Sequence, residues 1–216
     1  MSRTHQTSLQ RLQRALPFAF LAILACERRP RDADLKRELL ARIAEDQRVR
    51  DGFVRDLQQR GRPSETTARA MLATDSANLL WFKPLVQRYG LPTRAQVGKE
   101  GVEAAFLLIQ HADRDPDFQE AMLPLLEKAY AAGEVPGDAL GMLTDRVLKA
   151  RGRPQRFGTQ MTGRDGKMVM DSVEDPANLD QRRAKLGMTP MARYRELIDS
   201  MFAQRPSGTA PAPAPK

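Results

Sequence analysis

Apolar residues recur every three to four positions along most of this chain, and glycine or proline closes each such stretch. That pattern commits the chain to packed helices. From 34 to about 59, Leu35, Leu39, Ile43, Val49, Phe53 and Leu57 share a face opposite Lys36, Arg37, Arg42, Glu45 and Arg48, and Gly61-Arg62-Pro63 stops the run. A second stretch, about 64 to 89, gathers Leu79, Phe82, Leu85, Val86 and Tyr89 before Gly90-Leu91-Pro92. Within it, Asp75-Ser76 reads as a fresh helix start and Pro84 predicts a kink. The third, about 101–113, is apolar on most sides, which predicts the centre of a bundle. Asp115-Pro116 caps a fourth helix that Gly133 ends, and a fifth runs from about 136 to 150.

Residues 151–174 change character. Five glycines and prolines punctuate β-favouring residues, and Arg164-Asp165-Gly166-Lys167 carries an Asp-Gly turn signal. Helices at about 176–187 and 190–204 follow, and the Pro/Ala tail 205–216 reads as disordered or extended. The expected fold is all-α: one multi-helix, bundle-like domain over 34–204 with one small β-hairpin near 153–171. With 216 residues, 41% of them hydrophobic, there is material for one such core.

The N-terminus reads as an address. Residues 1–14 carry Arg3, Arg11 and Arg14 and no acid, and residues 15–25 form an uncharged apolar run that ends at the only cysteine, Cys26. Eleven helical residues rise only about 16 Å, too short to span a bilayer core. Ile23-Leu24-Ala25-Cys26 resembles the lipobox of bacterial lipoproteins, in which the cysteine at the cut becomes the lipid-bearing N-terminus. The resemblance implies a signal peptide over 1–25, a tether over 26–33, and a membrane partner reached through lipid on Cys26, with the domain facing the periplasm. A cytoplasmic address is the alternative. Removing the three arginines of residues 1–25 lowers the net charge from +8 to +5. No Lys/Arg block is dense enough for nucleic acid, and aromatics for base stacking are scarce. One cysteine and two histidines exclude a metal site built from several His and Cys ligands, and no fingerprint calls for a cofactor.

Three segments hold more polar groups than packing needs. In Gln110-His111-Ala112-Asp113, His111 sits beside the buried face as the one histidine left after residue 25. It serves either as a general base oriented by Asp113 or another carboxylate, or as a structural histidine. In Leu143-Thr144-Asp145-Arg146-Val147, two charges interrupt an apolar helix. Asp145 then pairs with Arg146 or Arg156, or faces a cavity. The run 152–160 brings Gln155, Arg156, Thr159 and Gln160 to a Gly-rich loop that suits a polar or anionic ligand. Its alternative is a hairpin whose glutamines satisfy loop backbone groups.

In order, LLIQHADRDPDFQ (107–119), LTDRVL (143–148) and GRPQRFGTQ (152–160) resemble a bacterial family of unknown function with Gln-His-Ala-Asp, Thr-Asp-Arg-Val and Gly-x-x-Gln-x-Tyr-Gly-Thr-Gln runs. Glu45-Asp46-Gln47, Asp180-x-Arg182-Arg183 and Gly187 fit the same pattern, with Phe157 where the family often shows tyrosine. The resemblance spans about 34–195 and implies one helical domain with Gln110, His111, Asp113, Asp145, Arg146, Gln155 and Gln160 as motif positions. It supplies no activity. Two functions then compete. The favoured one is an envelope lipoprotein that binds a small polar ligand or a protein partner in a pocket formed by the three motifs. The other is a hydrolase or lyase with His111 as base and Asp113 or Asp145 beside it.

Overall fold

The structure, a computed structural model, describes residues 30–164 and 167–203, without the side chains of 58, 163, 164, 167 and 201–203. The signal peptide, Cys26, the Asp-Gly turn at 165–166 and the tail lie outside the described residues.

Helix α1 spans Asp32–Arg60 and α2 spans Glu65–Tyr89. The turn between them is knotted by Asp56, whose carboxylate accepts from the Ser64 amide at 2.8 Å and the Thr67 hydroxyl at 2.6 Å. Those bonds hold its carboxyl far below the usual carboxylate range. Ser64 caps α2 through the Thr67 amide. The predicted restart at Asp75-Ser76 does not occur. The Ser76 hydroxyl bonds back to the Leu72 carbonyl, so it serves the helix interior, and α2 runs on through the exposed Pro84.

Helix α3 spans Arg94–Gln110. It starts a turn earlier than the periodicity suggests, because a first turn precedes Gly98. That residue, at φ 72° and ψ 175°, breaks the helix before it resumes. From there α3 packs against α1, α2, α4 (Pro116–Ala131) and α5 (Gly137–Ala150), which is the central position its all-round apolar surface predicts. Leu39 of α1, Phe82 of α2, Ile109 of α3, Leu126 of α4 and Leu143 of α5 meet in one buried core. Each such side chain contributes about 1.5–3 kcal/mol through the apolar surface it removes from water.

The C-terminal third leans on α5. Strands β1 (Met161–Arg164) and β2 (Lys167–Met170) pair antiparallel, Met161 opposite Met170. A short 3-10 turn leads into α6 (Leu179–Lys185), followed by α7 (Met191–Ala203). Phe157, Leu179, Met188 and Met191 are buried here. Among the described residues the fold is therefore all-α with one small hairpin. No helix among them is long and apolar enough to cross a membrane.

The seam between the two parts is tight at Gly137, where an added Cβ would lie 1.8 Å from the Leu186 carbonyl oxygen. Because that neighbour is backbone, Gly137→Ala is expected to cost about 3 kcal/mol, read as a lower urea midpoint at unchanged slope.

Candidate functional site

Three helices deliver the candidate site. Asp46 and Arg50, one turn apart on α1, face inward; Asp75 comes from α2; His111 is the C-terminal cap of α3. Asp46 is only 1% exposed. His111 Nδ1 lies 3.1 and 3.0 Å from its two oxygens, and Arg50 Nε lies 3.3 and 3.2 Å from the same pair. The guanidinium continues to Asp75, with Nη2 to Oδ1 at 2.6 Å. Gln47 adds an amide donor to Asp46 at 2.9 Å.

The tautomer follows from this triangle. Arg50 Nε also sits 3.1 Å from Nδ1, yet Nδ1 faces a carboxylate that can only accept. A lone pair on Nδ1 would be directed at those oxygens, whereas a proton there is shared with them. Nδ1 therefore carries the hydrogen, and both it and Arg50 Nε donate to Asp46. Nε2 bonds no described residue and is not among the buried polar atoms that lack a partner. In the neutral ring it holds the free lone pair. His111 lines a cleft of about 300 Å³ with Asp75, Ser76, Leu79, Leu80, Ala112 and Arg114.

The two carboxylates are driven apart. Burial pushes Asp46 up, but the hydrogen bond and charge of His111 and the charge of Arg50 outweigh it and hold Asp46 below its ordinary value. Burial also pushes Asp75 up. Arg50 opposes this, the charge on Asp46 adds to it, and the carboxyl ends above its ordinary value.

The other residues singled out in the sequence fall elsewhere. Asp113 does not reach His111. Arg146 holds it through Nη1 at 2.6 and 2.8 Å, which ties the end of α3 to α5. Asp145 is fully buried and accepts four hydrogen bonds from the loop: the amides of Arg156, Phe157 and Thr159 at 2.7, 2.9 and 2.8 Å, and the Thr159 hydroxyl at 2.9 Å. It pairs with loop backbone, not with the guanidinium of Arg146 or Arg156.

Gln155 donates to the carbonyls of Gln160 and Asp171 and accepts the Gln160 amide at 2.6 Å. The Arg156 side chain pairs with Glu174 at 2.9 Å. Gln160 Nε2 donates to the Thr159 hydroxyl and the Met142 carbonyl. Gln110 turns a buried Oε1 to no partner. The three motifs are thus linked end to end through Asp113–Arg146 and Asp145, but the cleft lined by His111 contains none of Asp145, Gln155 or Gln160.

Sequence reasoning missed Asp46, Arg50 and Asp75 as neighbours of His111. One signal was present: Asp46 falls between Ile43 and Val49 on the apolar face of α1, where a charge needs a buried partner. It gave no role to two residues of the quoted motifs: Gln119, whose amide donates to the carbonyls of Ile109 and Gln110 at the end of α3, and Arg183. Arg183 is fully buried and donates to the carbonyls of Thr189 and Phe157. Among the described residues no group of three His, Cys, Asp or Glu is placed to hold a metal ion.

One comparison with known proteins places the chain. It belongs to the family of unknown function DUF6624. The match covers residues 33–205, from the first turn of α1 to beyond α7. It therefore takes in the Asp46–His111 cluster and the 152–160 loop together. No curated protein and no solved structure matches the chain.

The opposed shifts of Asp46 and Asp75 have opposite consequences for stability. Asp46, lowered in the fold, stabilises above its ordinary value of 3.8, and that contribution is lost as pH falls through its folded value. Asp75, raised, favours the protonated fold, so stability drops as pH rises from 3.8 through its folded value. Urea midpoints measured against pH should show Asp46→Asn flattening the limb below 3.8 and Asp75→Asn flattening the limb above it.

Proposed function

We propose that this domain performs acid–base chemistry at the His111 cleft, as a hydrolase or lyase, and that lipid on Cys26 holds it at a bacterial envelope. One observation carries the catalytic part: the imidazole is pinned at Nδ1 by a buried carboxylate while Nε2 stays open on a cleft. A carboxylate on Nδ1 fixes the ring orientation and steadies the charge gained when Nε2 takes a proton. In this reading Asp46 is the positioning residue, because the oxygens of Asp113 and Asp145 are occupied by Arg146 and by loop donors. Asp75 supplies a second titratable group in the same cleft.

Recognition without turnover is the second reading, supported by a different cleft of about 400 Å³ beneath the 152–160 loop. There Thr144, Arg151, Arg153 and Arg156 meet Phe157 beside Glu120, Glu127 and Glu174, a lining of mixed charge suited to a small polar ligand.

Diethylpyrocarbonate, which acylates open imidazole nitrogens, should modify His111 in the folded protein. A native His111 that resists it sinks the catalytic reading. Hydrolysis of p-nitrophenyl esters or phosphates should fall about 10²–10⁴-fold in His111→Gln and by less in Asp46→Asn. Equal rates for wild type and His111→Gln count against the site.

The address has a separate test. Residues 1–25 read as a signal, and Cys26 precedes α1 by six residues. Cys26→Ala should move the protein from the membrane fraction to the soluble one; unchanged fractionation refutes the anchor.

A further inference from the structure

Between α3, α4 and the loop that follows α2 lies a third cavity, of about 320 Å³, remote in character from the polar clusters. Val102, Ala105 and Ile109 of α3 form its floor, Leu125 and Ala129 of α4 one wall, and Leu91 the other. The floor is core: Val102, Ala105 and Ile109 are all buried. Three short side chains, Ala105 of α3 with Ala129 and Ala132 at the end of α4, line it beside the larger Phe106, Leu125 and Tyr89. Helices normally close such gaps, since an empty apolar void forfeits dispersion contacts on every wall. A lined void of this size, at the small end of ligand cavities, fits an occupant with a short apolar body.

Two charged residues stand at this cavity. Glu134 is already engaged, because its carboxylate accepts the Arg94 amide at 2.6 Å at the start of α3. Lys128, on the exposed side of α4, makes no ion pair with a described residue. An apolar cavity with one unpaired ammonium at its edge is complementary to an apolar chain that ends in an anion. We propose that this cavity binds a medium-chain fatty carboxylate, alkyl chain on Val102, Ala105 and Ala129 and carboxylate at Lys128. The site is independent of the His111 cleft and requires no reaction there.

Isothermal titration calorimetry of the full chain with butanoate, hexanoate and octanoate tests it. Affinity should rise about fourfold for each methylene added until the chain fills the cavity. Lys128→Gln should weaken octanoate about two- to fivefold and leave octan-1-ol unchanged, as expected for an exposed charge pair. Ala129→Leu fills the cavity, so it should raise the melting temperature and abolish binding of both ligands. That variant separates a blocked site from a damaged fold. No octanoate binding at millimolar concentration, an affinity indifferent to chain length, or undiminished binding by a folded Ala129→Leu protein would each overturn the proposal.

Discussion

A carboxylate with no exposed surface organises the C-terminal third of this molecule. Asp145 projects from α5 into a place where water does not reach, and a buried charge persists only if donors replace its hydration. The chain meets that demand with its own backbone, curling residues 156–159 so that three amides and one hydroxyl converge on the two oxygens. Everything nearby follows from that curl. Gln155 closes the loop from inside, Arg183 takes the Phe157 carbonyl that the turn leaves over, and the hairpin starts where the loop ends.

The neighbouring position extends the same logic to the helical core. Arg146, one residue on, reaches across to Asp113 just beyond α3, while Gln119 of α4 donates to two carbonyls at the end of α3. The end of α3 is thereby fixed from two sides, and His111 is the residue placed there. Its imidazole meets Asp46 and Arg50 of α1, so a run of polar contacts connects the loop on α5 to the far side of the bundle. The charges alternate along it, and almost every buried one has an opposite partner or hydrogen-bond donors.

Much of this fold is legible in the sequence, because helices are local. Leu35 to Leu57 repeat with helical spacing, Gly61-Arg62-Pro63 stops the run, Asp115-Pro116 caps α4, and each signal acts within a few residues. Ser76 misleads because a serine hydroxyl bonds equally well to a carbonyl one turn back as to a helix start. Asp145 stands out as a charge in an apolar helix, although a sequence shows only that it needs partners, not which ones. The site is less legible. Asp46 and His111 are 65 positions apart, and nothing local joins them. Only the packing of α1 on α3 selects Asp46 over Asp113, which lies two residues from His111 but is turned toward Arg146.

The Asp145 anchorage also makes the 152–160 loop unlike most loops in how it opens. An irregular surface segment ordinarily breathes on its own, exchanging amide hydrogens and admitting proteases while the rest of the domain stays folded. Here, lifting residues 156–159 away would strand a dehydrated negative charge inside α5, so the segment has no inexpensive partly open form. It belongs to the same cooperative unit as the helix beneath it. The Gly-rich composition that would elsewhere signal a hinge marks instead one of the last parts of this molecule to let go.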